Sequence, residues 1–76
     1  MLDSQLLAAA GEALYGPLWQ SQLARDLDVA DRTVRRWRAG DTPIPGGVAI
    51  DLLRLLTERA ADIDELIERL RKAAVP

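Results

Sequence analysis

Residues 20–39 read "QSQLARDLDVADRTVRRWRA", and these twenty residues decide the fold. Leu23 and Leu27 continue a four-residue spacing that begins at Trp19, with Ala24 beside them, which predicts a short helix over about Leu18 to Leu27. "DVA", residues 28–30, is too short for anything but a tight turn. A third helix then covers about Asp31 to Ala39. At 100° per residue with Arg32 at zero, Arg36 falls at about 40° and Arg35 at about 300°, while Val34 at about 200° and Trp37 at about 140° oppose them. Ala39 returns to the basic side and leaves it uncluttered, and Arg38 lies on the flank. One side of this helix can dock on a core while the other projects three guanidinium groups.

Working outward, the first helix is predicted from Asp3 or Ser4 to Tyr15, either polar residue serving as its cap. Leu6, Leu7, Ala10 and Leu14 form its inner stripe, and Gly16-Pro17 ends it. "GDTPIPGG", residues 40–47, is a loop by its glycine and proline content. A fourth helix is expected over about Gly47 to Ala60, with Val48, Leu52, Leu55 and Leu56 facing the core. Asp62 and Glu65 fit a capping box, which predicts a fifth helix over residues 63–73. The alternating steps of four and three through Leu52, Leu56, Arg59, Ile63, Leu66 and Leu70 allow a single long helix instead. The expected architecture is all-α: one domain, residues 1–76, built as a compact bundle of about five helices.

Composition limits the possible functions. Seventy-six residues without cysteine or histidine offer neither a disulfide nor the usual zinc ligand sets. No phosphate-binding glycine signature occurs and no pair of carboxylates stands out from solvated helix faces, so neither an enzyme nor a cofactor or metal site is expected. "MLDSQLL" lacks a basic segment followed by an apolar run, so the expectation is a soluble cytoplasmic chain with no membrane span. The formal charge is −2. Arg32, Arg35, Arg36 and Arg38 nevertheless contribute +4, while six basic and twelve acidic groups elsewhere contribute −6. DNA responds to charge within a Debye length, ~8–10 Å, so a basic face on an acidic body is compatible with it.

Residues 20–39 resemble the helix-turn-helix of the lambda repressor/Cro-like (XRE) regulators. Ala24, Val29, Val34 and Trp37 match that family's pattern at its spacing, and "RTVRRWRAG" followed by a proline-containing loop is typical of the group. The flanking helices extend the likeness to about residue 60. Two positions depart from the pattern. Asp28 stands where the turn usually has glycine, although aspartate tolerates positive φ. Ala30 replaces the usual Ser or Thr cap, and Asp31 is expected to take over the capping.

The resemblance implies a sequence-specific regulator that inserts residues 31–39 into the major groove of double-stranded DNA. Arg32 and Arg36, then Arg35, are the candidates for reading base edges, since arginine pairs bidentately with guanine. Gln20, Arg38, Thr42 and Gly47 are candidate backbone contacts. Gly46 and Gly47 would present free N–H groups at a helix start. Asp31 could instead accept from a cytosine amino group or orient Arg35. Trp37 shares the face of Val34 and is read as core rather than as a stacking platform; Trp19 is read likewise.

Regulators of this class bind pseudo-palindromic operators as homodimers. The dimer contact is expected along Ile63, Leu66, Ile67 and Leu70, with the alternative that this stripe completes the monomer's own core. The implied role is a bacterial or phage repressor of a short operon. A protein-interaction adaptor on the same fold, and an accessory DNA-binding module for recombination or packaging, are the competing readings.

Overall fold

A computed structural model describes residues 1–75. Four helices follow in order: α1 (Ser4–Tyr15), α2 (Trp19–Leu27), α3 (Asp31–Ala39) and α4 (Gly46–Ala74). The described residues are all-α, with four helices rather than about five. The predicted fourth and fifth helices are one rod of 29 residues that begins at Gly46. Asp62 and Glu65 therefore cap nothing. A capping box operates only where the backbone leaves helical geometry, and Ala60-Ala61 are strong helix formers that keep it.

Local chemistry explains the other boundaries. The Asp3 carboxylate accepts from the Leu6 N–H at 2.8 Å and caps α1. Gly16, at φ 82°, closes that helix by donating its N–H to the Glu12 carbonyl. Leu18 lies just outside α2 as its N-cap and is 86% exposed. At the end of α2 the N–H groups of Val29 and Asp28 reach the carbonyls of Ala24 and Arg25, at 2.9 and 3.2 Å. This paired closure needs a left-handed residue, and Asp28 takes it at φ 56°, ψ 47°. Aspartate thus carries the positive φ of this turn, as expected. The same closure recurs at Gly40, with Asp41 and Gly40 donating to Arg36 and Trp37.

The core is formed where α1, α2, α3 and the first turns of α4 meet. Leu7, Leu23, Ala24 and Val34 are wholly buried, and Leu14, Trp19, Trp37 and Leu52 nearly so. Gly11 lies directly beneath the Trp19 ring, so α2 approaches α1 where no side chain stands between them. Leu6, expected inside, is 55% exposed because α4 reaches only one flank of α1. Leu55 and Leu56 are half-buried.

Beyond Leu56 every residue of α4 is exposed. The chain therefore measures 54 × 21 × 21 Å with a radius of gyration of 15.0 Å, against about 11 Å for a compact domain of this length. The expectation of a compact bundle is corrected accordingly. Arg59 pins the rod at its departure point: its Nη1 donates to the Leu14 carbonyl at 2.7 Å and its guanidinium lies 5.9 Å from the Tyr15 ring centre.

Candidate nucleic-acid interface

The site begins with what α3 buries. Val34 is 0% and Trp37 5% exposed, so the apolar face of α3 is sunk against α1 and α2. A helix fixed by one face must present the other, and Arg32, Arg35 and Arg36 are exposed, as is Arg38. Among the described residues the only ion pair is Arg54–Glu58, at 3.4 Å on the surface of α4. Among the described residues, no carboxylate forms an ion pair with any of the four α3 arginines. Their charge and donor atoms remain available to an outside acceptor.

The start of α3 differs from expectation. Ala30 is its N-cap and contributes no side-chain bond, while Asp31 lies inside the first turn. The Asp31 carboxylate does not cap. It accepts from the Ser21 hydroxyl at 3.0 Å, tying the first turn of α3 to the first turn of α2. Its acidic charge near the helix N-terminus still opposes the helix dipole favourably. Held by Ser21, Asp31 is a brace between the two helices. Sequence reasoning missed this pair, because serine and aspartate ten residues apart on different helices leave no periodic signal.

α2 and α3 also enclose a shallow recess of about 260 Å³, lined by Pro17, Leu18, Gln20, Ser21 and Arg35. It brings together Gln20, a predicted backbone contact, and Arg35, a predicted base reader. Pro17, Leu18 and Ser21 join them without having been anticipated. Thr42, half-buried, and Gly47, exposed, do not line this recess. Gly46 and Gly47 occupy the first turn of α4, where N–H groups have no helical acceptor.

Of the four residues expected to form the inner framework, Ala24, Val34 and Trp37 are buried and Val29 is half-buried in the turn. Ile63, Leu66, Ile67 and Leu70 are 42–66% exposed. They do not complete the core of the monomer; they stand in water on the projecting part of α4.

No group of His, Cys, Asp or Glu among the described residues is arranged to hold a metal ion. No helix there is long and apolar enough to cross a membrane. No protein-family model, curated protein or solved structure matches this chain.

Proposed function

We propose that the chain is a sequence-specific double-stranded DNA-binding regulator of the lambda repressor/Cro-like helix-turn-helix kind. It acts as a homodimeric repressor of a short bacterial or phage operon. The observation that carries this reading is the two-sidedness of α3: Val34 and Trp37 buried, and Arg32, Arg35 and Arg36 exposed with no ion-pair partner among the described residues. A rigid helix with that arrangement fits the major groove, where guanidinium groups meet the O6 and N7 of guanine. Gln20, Arg38, Thr42 and the Gly47 N–H fix register on phosphates, which supplies affinity without sequence information.

The test is competition binding to a duplex from upstream of the protein's own gene against a scrambled duplex. Arg32→Ala and Arg36→Ala each weaken the specific complex by ~1–3 kcal/mol, roughly 5- to 150-fold, and relax base preference. Equal losses on both duplexes would reduce these residues to phosphate contacts. Affinity also falls steeply as salt rises, through counterion release. Binding through an apolar adaptor surface would be nearly indifferent to salt, which separates the competing protein-interaction reading.

A further inference from the structure

The exposed part of α4 carries more order than a solvated helix requires. From Ala49 to Ala74, positions spaced alternately by four and three residues are all apolar, the seam of a helix pair. Leu53, Leu56, Ile63, Ile67 and Leu70 are its large members. The seam starts inside a groove of about 200 Å³ formed by Leu2, Leu6 and Ala10 beside Ala49, Leu53 and Leu56. It then runs unbroken onto the projecting rod. One half of the molecule thus holds an unfilled apolar groove, and the other an unpartnered apolar ridge.

We infer that two copies pair α4 antiparallel, so that the ridge of each fills the groove of the other. With the two-fold axis between Ala61 and Asp62, every seam residue meets an apolar counterpart. Ala60 faces the partner's Ile63, Leu56 the partner's Ile67, Leu53 the partner's Leu70, and Ala49 the partner's Ala74. The register also gives Leu66 a role. It lies beside the seam on the side where Leu52 and α1 stand, at the level of residue 57, and it enters the groove flank beyond Ala10. A parallel pair would set groove against groove and leave Leu66 in water.

Charge and size point the same way. Residues 62–68 include four acids and no base, whereas residues 69–72 include three bases and no acid. A parallel pair aligns the two acidic runs side by side. The antiparallel pair avoids this: each acidic run meets residues 55–61, where Glu58 and Arg59 balance, and each basic run meets residues 51–54, where Asp51 and Arg54 balance. A 29-residue helix is ~43 Å long and ~10–12 Å wide, so the strip alone covers roughly 450–500 Å² of plane per copy. Side-chain relief and the α1 flank bring this toward the about 800 Å² per partner of a standard interface.

The inference deepens the homodimer of the proposed function and leans on DNA for one point only. The bodies pack on α4 near residue 50, so the dimer repeats them every ~35 Å along the helix pair, close to one turn of B-DNA at about 34–36 Å.

The natural absence of cysteine makes the test direct. Leu53→Cys and Leu70→Cys both alter exposed side chains, 67% and 66% accessible, and leave the core intact. The variants are mixed while reduced, then treated with a mild thiol oxidant and resolved on non-reducing gels. The mixture is expected to yield the crosslinked heterodimer, several-fold in excess of the product from either variant alone. Equal crosslinking within one variant would signify parallel pairing and overturn the inference. A monomer mass for the unaltered chain in sedimentation at high micromolar concentration would also overturn it. As a second probe, Ile67→Asp raises the dimer dissociation constant at least tenfold with helicity retained; an unchanged constant refutes the seam. None of these measurements contains DNA, so loss of operator binding and loss of this dimer are separable results.

Discussion

Replacing Gly11 by alanine tests how the arginine helix is supported. Alanine in a helix interior is ordinarily better than glycine by ~0.8–1 kcal/mol, so sequence rules alone predict a stabilised protein. Here a Cβ at position 11 would stand 3.0 Å from Cγ of Trp19 and closer still to Cδ2 and Cε3. Carbon atoms rest at ~3.5–4.0 Å, so the indole or the whole start of α2 must retreat by about 1 Å. The clashing atoms belong to the rigid ring near its attachment, and Trp19 is 2% exposed, so no free space receives it. Overpacking costs ~1–3 kcal/mol, and three atoms of a buried rigid ring at or inside 3.0 Å set this case in the upper part of that range, ~2–3 kcal/mol. After the helix gain is subtracted, the net loss is about 1–2 kcal/mol, from a total of about 4–11 kcal/mol for a chain of this length. Thermal melting followed by helical circular dichroism, at one fixed concentration because a dimer melts by mass action, should show Tm lower by about 4–16 °C. Gly47→Ala is the control: nothing lies within 4 Å of its Cβ, so Tm should rise by a few degrees. If Gly11→Ala rises in step with Gly47→Ala, the Trp19 ring does not lie against α1 and the support assigned to α2 and α3 is wrong.

Two further outcomes follow from local chemistry. Tyr15, the single tyrosine of the chain, has its phenol pushed up to about 12, first by burial and then by its hydrogen bond to Asp26 and that carboxylate's charge. The neutral phenol is the form the fold favours, so its contribution is whole below pH 10, the usual tyrosine value, and is lost as pH rises from 10 toward 12. Phenolate absorbance should therefore appear late, and Tyr15→Phe should flatten the alkaline fall in stability; a phenol titrating near 10 would refute the Tyr15–Asp26 pairing. Gly40→Ala should cost about 1–2 kcal/mol in denaturant unfolding, because φ is 81° there and an L side chain is strained in that region; no loss would mean the α3 closure relaxes freely.

Much of the fold was legible from one dimension because its signals are local. Asp3 capping, the Gly16 and Gly40 stops and the left-handed Asp28 each depend on residues within a turn of themselves. The division of α3 into Val34 and Trp37 on one side and three arginines on the other needs only the helical repeat. The expectations that failed concern choices between competing local signals. The Asp62–Glu65 pattern competes with an uninterrupted helix-forming run, and Asp31 competes between capping its own helix and reaching Ser21. Periodicity assigned Leu6 to the core because it marks an apolar face without saying what covers it.

The sequence by itself determined that this protein is helical, where most of its helices begin and end, and that one short helix is apolar on one side and basic on the other. These are properties of backbone propensity and of side chains a few residues apart. Tertiary structure alone decided that Gly11 admits Trp19, that Ser21 braces Asp31, that Arg59 fastens α4 to the end of α1, and that the rest of α4 departs into solvent. The first three join residues eight to forty-five positions apart, and such meetings, like the lack of one beyond Leu56, depend on how rigid helices pack in space.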